Sequence, residues 1–497
     1  MSTALAELKE RLAEVYDLER ALGVLAWDQR TMMPPKGAGA RAEASATLSG
    51  LAHERFVADD IGRLLDELAP LEEELDHDSD DASLVRVTRR DWEKERRVPS
   101  ELAAARTREA AKAHAAWLEA RAANDYSVFL PAFRRVHDLA LRWAECMEPD
   151  DSPYDPFLDE FEPGMTTAEV AAVFGVLRPE LVAIVRGAGE PADDSFLEGD
   201  FPILVQQELF AEVLRRFGFE EGAYRLDPTV HPFAITFSGT DIRMTTRYRP
   251  DNIRALWSTM HEAGHGLSYQ GIAPELARSP LYGNASHGIG ESQSRTWENL
   301  VGRSLPFWRG LYPEVQRRFP QLAKVDLDDF YRGINRIERG LIRVEADEVT
   351  YSLHIILRFE LEQQLVDGTL APEELPEAWN ARMTEFLGVE VPDDLRGVLQ
   401  DVHWTRASYG YFPTYALGNV LSVQIWRALE QEHPDLDALL ESGDLSELYE
   451  TLRRRLYRHG RKFTPLETLE RATGVGEIDP QPYLGYLRAK ADGPVAA

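Results

Sequence analysis

Near the middle of the 497-residue chain stands His261-Glu262-Ala263-Gly264-His265, an HExxH sequence within a stretch of helical pattern. On a helix, residues four apart lie on one face, a turn from each other. Two imidazole nitrogens at that spacing reach one metal ion, and the glutamate between them falls beside the ion's open position. Such a site activates water. The bound ion lowers the water's pKa and polarises a carbonyl, while the carboxylate takes the proton and returns it to the leaving group. His261 and His265 are therefore candidate metal ligands, and Glu262 is the candidate general base and acid.

A catalytic zinc takes three protein ligands and keeps one position open. Spacing alone leaves the third ligand undecided. Glu291, in Gly288-Ile289-Gly290-Glu291-Ser292-Gln293-Ser294-Arg295, is the first choice. Glu298, seven residues on and on the same expected face, is its rival, and His287 is the weakest of the three.

The elements that must hold these residues read as mainly helical. Leu5, Leu8, Leu12, Val15, Leu18, Leu22 and Leu25 recur at three- and four-residue steps, which predicts an amphipathic helix over 4–26, stopped by Pro34-Pro35. Further helices are expected at 83–97, 100–124, 128–147, 197–217, 290–304, 326–366, 373–387 and 410–431. Thr166 and Glu169 form a capping box that opens another. The clear strand signal is a hairpin at 233–248, with Ile242, Met244, Thr246 and Tyr248 alternating against Asp241, Arg243, Thr245 and Arg247 in its second arm. Standing just before the HExxH helix, that arm is expected either to pair with extended substrate or to be purely structural. Asp76-His77-Asp78-Ser79-Asp80-Asp81 reads as an exposed acidic loop without the calcium-loop pattern.

Composition narrows the function classes. A hydrophobic fraction of 44% with 28% charged residues fits a globular protein. A net charge of -30 argues against nucleic acid and against an anionic membrane surface. No stretch approaches the roughly 20 apolar residues that cross a bilayer, and the start of the chain lacks a secretion-signal core. A cytoplasmic location is the expectation. The single cysteine, Cys146, excludes an intrachain disulfide, and nothing beside it in sequence would activate it as a nucleophile. No linker or repeat is evident, so residues 1–497 read as one large helical unit, with two lobes about a groove as a variant of that reading.

Four segments occur in order: the HExxH run, Glu291-Ser292-Gln293, Ile342-Arg343-Val344-Glu345-Ala346-Asp347, and Gly397-Val398-Leu399-Gln400-Asp401-Val402-His403-Trp404. Together they resemble the signature segments of the carboxypeptidase Taq family of zinc metallocarboxypeptidases. Asp241 to Tyr248 and Gly410-Tyr411-Phe412-Pro413-Thr414-Tyr415 are also similar to that family, and the resemblance runs from about Trp27 to the C-terminal helices. It implies a mostly helical, saddle-like fold with a deep central groove and a small hairpin or sheet beside the metal helix. It implies a homodimer, a catalytic zinc for which cobalt or another divalent metal substitutes, and stepwise removal of C-terminal residues from peptide substrates with broad preference. Carried over, the ligands are His261, His265 and Glu291, with Glu262 as general base and acid. One departure stands out: the family has histidine immediately before the third ligand, and this chain has Gly290, which removes an imidazole from that neighbourhood. His287 is a candidate to compensate.

The resemblance also gives meaning to side chains that otherwise read as core. Tyr415 first, and Tyr411 second, are candidates to donate a hydrogen bond to the oxyanion. Without the resemblance, tyrosines in this aromatic run would be read as packing. An exopeptidase must bind a free carboxylate, for which the planar fork of arginine is suited. Arg343 is the candidate, against a structural role paired with Asp347. His403 and Gln400 are candidate donors to substrate or oxyanion, with core packing as the other reading of His403. Asp347 and Asp401 are candidates to orient a metal-bound imidazole, and Arg243 and Arg247 either line the groove or cap the hairpin. The competing functions are an oligopeptidase that cuts inside short peptides and a weakened or inactive homologue that binds peptides.

Overall fold

The computed structural model describes residues 3–491, in which α-helices surround one small sheet. Where the apolar stripe is clear, expected and observed helices coincide within a few residues. Thr3–Thr31 buries Leu5, Leu8, Leu12 and Val15 and ends ahead of Pro34. Asp80–Arg97 starts where the Ser79 hydroxyl accepts the Ala82 N–H at 3.1 Å. Ser100–Ala123, Tyr126–Glu145 and Tyr411–Glu432 follow their expected spans. Thr166 and Glu169 cap their helix reciprocally. Two helices unforeseen in the sequence, Ala38–Phe56 and Asp59–Glu74, lie between these. The first buries only Ala52, so it carries no apolar stripe to read.

The expected long helix over 326–366 is broken. Leu327–Ile334 and Tyr351–Val366 are helical, and the chain between them is irregular apart from a short turn at Arg343–Glu345. Asp347 explains the break. Its carboxylate accepts the N–H groups of Glu338 (2.9 Å), Val349 (2.8 Å) and Thr350 (3.0 Å) and the Thr350 hydroxyl (2.8 Å). A short acidic side chain that satisfies backbone donors in this way competes with helix and favours its start.

The sheet has three strands, β1 (Tyr224–Pro228), β2 (Ala234–Ser238) and β3 (Asp241–Thr246), in the order β1-β3-β2. The expected hairpin is the antiparallel β2-β3 pair, with Ala234 opposite Met244 and Thr236 opposite Ile242. Parallel β1 was not legible in the sequence. Because β3 is central, both of its edges are already paired, and the second arm of the hairpin cannot pair with substrate. The open edges belong to β1 and β2, and part of the β2 edge is covered. Arg20 of the first helix donates to the Thr236 carbonyl (2.5 Å) and the Tyr16 hydroxyl donates to the Phe237 carbonyl (3.4 Å).

Ile242 and Met244 are fully buried in a large core that runs from Leu102 to Leu487. A second, smaller core joins Leu5, Leu8 and Leu12 to Ile61, Leu65 and Leu84, and to Leu276 and Leu281 from the segment after the HExxH helix.

Three helices meet closely at the centre: Ala255–Gln270, which carries HExxH, His287–Arg295, and Tyr411–Glu432. Glycine permits the approach. A Cβ on Gly264 would overlap the Gln293 carbonyl oxygen and lie 2.5 Å from Ser294 Cα, and one on Gly418 would lie 2.6 Å from Glu291 Cγ. Gly264→Ala is therefore expected to lower stability by about 1–3 kcal/mol, the usual cost of overpacking, read as a lower denaturation midpoint for the metal-free protein.

Glu362 is fully buried and receives the Tyr154 hydroxyl at 2.5 Å and the Gly410 N–H at 3.0 Å. Burial pushes its pKa up from 4.5 to about 8. A carboxyl whose pKa rises on folding contributes stability that is complete below its unfolded pKa and is lost as pH climbs through the folded value. Between about pH 4.5 and pH 8, unfolding midpoints should therefore fall in the native protein relative to Glu362→Gln, whose amide does not titrate. Parallel pH profiles for the two proteins would contradict this.

Candidate metal centre and groove

The HExxH helix places His261 and His265 one turn apart, with ring centroids 5.0 Å from each other. The next helix is fixed by its N-cap, where the Ser286 hydroxyl accepts the Ile289 N–H at 3.0 Å. That cap brings Glu291 against the imidazole pair: its Oε2 lies 3.6 Å from His261 Nε2 and 3.6 Å from His265 Nε2. All three ligand atoms fall within 4.8 Å of one another, and this is the one such group of histidine, cysteine and acidic side chains among the described residues. Metal–ligand bonds of about 2.0–2.1 Å in a tetrahedron put ligand atoms about 3.4 Å apart, so the donor set and its spacing fit a divalent ion.

Glu298, the rival third ligand, stands on the other side of the His261 ring. Its Oε2 is 2.9 Å from Nδ1, which leaves Nε2 for the centre. The cause lies in the backbone. The helix carrying Glu291 widens to a π-helical turn over Thr296–Val301, a local change of the kind often found at functional sites. Arg295 ties the two acids together, donating to Glu291 Oε1 at 2.8 Å and to Glu298 Oε2 at 3.0 Å. Burial resists ionisation of both carboxyls, but Arg295 and the histidines outweigh it, holding Glu291 below its ordinary pKa and Glu298 at about 2. Burial keeps His265 neutral, with its pKa pushed down to about 4. Glu262 is the opposite case. It is buried beside other acids, and its pKa rises to about 7, the range in which a carboxyl takes and gives up protons efficiently.

Tyr411 and Tyr415 lie one turn apart at the start of Tyr411–Glu432, with ring centroids 5.3 Å apart, and burial pushes the pKa of both hydroxyls up, the charge of Glu291 adding a smaller push the same way. Tyr411 also packs against His287 (5.5 Å) and His403 (5.4 Å). His403 is half-buried, and its Nδ1 has no hydrogen-bond partner among the described residues and lies 3.9 Å from Asp401. Burial keeps it neutral, with a pKa of about 4.

Arg343 does not pair with Asp347. Its Nε donates to Asp401 Oδ1 at 3.0 Å, its Nη1 to the Tyr351 hydroxyl at 3.1 Å, and its guanidinium stacks 5.2 Å from the Tyr415 ring. Arg358 grips the other Asp401 oxygen at 2.5 Å. Two guanidinium groups against one carboxylate leave an unbalanced positive charge beside the tyrosines.

Several expected roles do not match these positions. Asp347 caps a helix and Asp401 is held by arginines, so neither touches His261 or His265; Glu298 does instead. The Gln400 side chain is spent within the protein, accepting from the Arg343 N–H (2.9 Å) and Arg358 (3.0 Å) and donating to the carbonyls of Leu341, Arg396 and Gly397. Arg243 is tied to Asp241 and stacked on Trp27 and Phe237, away from the centre. Arg247 is exposed past the end of β3. Neither arginine lines the cavity of about 600 Å³ beside His265, whose wall includes Tyr269, Asn284, His287, Gly290, Phe161 and β2. A Cβ on Gly290 would point at Asn284, 2.9 Å from its Nδ2, so the asparagine amide stands where a larger residue at position 290 would reach. The roles of Arg295 and Arg358 went unread in the sequence. Arg295 sits four residues after Glu291 and three before Glu298, a spacing that pairs charges on a helix and would have found it.

Three donors converging on one point, with a carboxyl of shifted pKa beside them, are the set that a metal-dependent hydrolase requires. Comparison with known proteins narrows the class. A family model described as carboxypeptidase Taq (M32) metallopeptidase matches residues 7–491. The chain is 41% identical over 486 residues to thermostable carboxypeptidase 1 of Thermus thermophilus, covering 95% of each. It is 35% identical to carboxypeptidase 1 of Bacillus subtilis, covering 97% of each. The solved M32 carboxypeptidase of Deinococcus radiodurans superposes with a TM-score of 0.94 at 40% identity, covering 99% of both chains. The chain belongs to the carboxypeptidase Taq (M32) metallopeptidase family and is a metallocarboxypeptidase, a peptide hydrolase.

The His261–Glu298 contact yields a test. Glu298→Gln removes the charge that holds the Nδ1 side of the ring, and loss of such a partner typically weakens metal binding 10–100-fold. Competition with a chromophoric chelator should register that loss in the folded variant.

Proposed function

We propose that the protein is a zinc carboxypeptidase that removes residues stepwise from the C-termini of peptides with broad preference. His261, His265 and Glu291 would hold the ion, and cobalt or another divalent metal would substitute. A divalent cation bound there supplies Lewis acidity toward a water molecule and the scissile carbonyl. In this reading Glu262 takes the proton of the attacking water on a carboxylate oxygen and passes it to the nitrogen of the departing residue. Tyr415, with Tyr411 behind it, donates its hydroxyl to the oxygen that gains charge, the kind of contact worth roughly 3–4 kcal/mol in the transition state. His403 supports Tyr411 by ring contact and is a second donor in reach of the tyrosines. Arg343 receives the free carboxylate of the substrate, favoured by the excess positive charge it shares with Arg358 over Asp401.

The rest of the reading follows the family resemblance and the charge. The chain acts as one unit and as a homodimer, on peptides and not on nucleic acid or membranes, in the cytoplasm. No helix among the described residues is long and apolar enough to cross a membrane.

The observation that carries the proposal is Glu262, buried next to the converging donors and with its pKa raised to about 7. Glu262→Gln should lower kcat by several orders of magnitude while the protein still binds zinc stoichiometrically. Mass spectrometry of peptide ladders is the readout. A peptide with a free C-terminus should shorten one residue at a time with zinc-restored native protein and stay intact with the variant. The same peptide amidated at its C-terminus should stay intact with both. Internal cleavage of the amidated peptide would replace this reading with an oligopeptidase, and no cleavage by the native protein would leave a peptide-binding homologue.

A further inference from the structure

We propose that the short helix Asp155–Phe161, with Tyr154 before it and Glu162 after it, is a positioning strut that sets the geometry between the helix of Glu291 and the helix of Tyr411 and Tyr415. The proposal rests on the roles given above to those side chains.

This stretch of nine residues touches the starts of both helices through Tyr154, Phe157, Phe161 and Glu162. At one end Glu162, with no exposed surface, accepts the Gly288 N–H on Oε1, and its Oε2 has no hydrogen-bond partner among the described residues. A Cβ on Gly288 would come within 2.8 Å of the Glu162 carboxylate, so the first turn of the ligand helix is shaped around this acid. At the other end the Tyr154 hydroxyl accepts the Gly410 N–H at 3.0 Å and donates to Glu362, which accepts the same N–H. Gly410 is the N-cap of the tyrosine helix, in the left-handed region at φ 79°, and a Cβ there would overlap the Phe157 carbonyl. Between the two ends the Phe161 ring packs edge-on against His287 of one helix (5.2 Å) and Tyr411 of the other (5.0 Å).

The mechanical argument is simple. The two helices already pack closely, most tightly where Gly418 faces Glu291, well inside the tyrosine helix. The strut adds a second tie at their N-termini. On the tyrosine helix Gly410 is eight residues from Gly418, about 12 Å along the axis. A tie that far from the tightest packing restrains the N-terminal ends of both helices, and with them the placement of Tyr411 and Tyr415 against the metal ligands. Burial raises the pKa of Glu162 to about 8, consistent with a neutral carboxyl that holds backbone without adding charge beside the centre.

The strut predicts two separable defects. Glu162→Ala frees the ligand helix and should raise the zinc dissociation constant about 10–100-fold, while Glu162→Gln, which keeps an acceptor for the Gly288 N–H, should restore it. Tyr154→Phe loosens the tyrosine helix and should lower kcat several-fold, with KM and zinc affinity unchanged. Zinc affinity is measured by chelator competition, turnover on a C-terminally free peptide, and folding by thermal unfolding of the metal-free proteins. Glu291→Ala and Tyr415→Phe serve as references: if the first keeps zinc or the second keeps kcat, the functional reading fails and the strut falls with it. If both references lose function as expected, native zinc affinity in folded Glu162→Ala, or no rescue by Glu162→Gln, overturns the strut. Should Glu162→Ala not fold, Tyr154→Phe decides alone, and an unchanged kcat overturns it.

Discussion

The imidazole of His261 is held between two carboxylates, and much of the centre depends on that arrangement. Glu298 takes one ring nitrogen at 2.9 Å and Glu291 faces the other at 3.6 Å. Two acids so close together, one buried and one half-buried, would repel each other and suffer desolvation. Arg295, itself half-buried, bridges them and keeps both ionised. The price of burying three charges is offset because each is paired and hydrogen-bonded, the condition under which buried ion networks persist. Its result is a ring whose orientation is fixed before any metal arrives. The π-helical turn after Arg295 belongs to the same arrangement, since it lets a helix present acids at positions 291 and 298 to opposite sides of one ring.

How far the sequence reveals this differs from residue to residue. The HExxH spacing placed His261, Glu262 and His265 directly, because a helix turns a four-residue interval into proximity. Glu291 and Glu298 were both found but could not be ranked by spacing, since seven residues keep them on one face of an ideal helix. Only the widened turn separates them. Asp347, Asp401 and Gln400 take roles other than those expected. Each was seen as a polar side chain near the motifs, yet the structure spends Asp347 on backbone groups two to nine residues away, and Asp401 and Gln400 on arginines more than 40 residues away in sequence. The helix over 326–366 was overextended because its apolar residues keep the right period through a stretch where Asp347 satisfies the backbone otherwise.

Small residues do as much for the centre as charged ones. Gly264 and Gly418 let three helix backbones approach until the site side chains converge. Within HExxH the two intervening positions are usually treated as free, yet here the second must be glycine for the next helix to pass. The same close packing links the centre to stability, so that altering one contact in this region changes folding and ligand geometry together.

The first helix has a consequence for how the protein behaves in a crowd of its own kind. A five-residue outer strand such as β2 offers unpaired carbonyl and amide groups that recruit strands from other molecules. Here Arg20 occupies the Thr236 carbonyl and Tyr16 reaches that of Phe237, so the template is blunted from within the same chain. Because the helix that blunts it is also the backbone of the smaller core, loosening that core would uncover a sticky margin beside the groove, making its integrity a safeguard against aggregation.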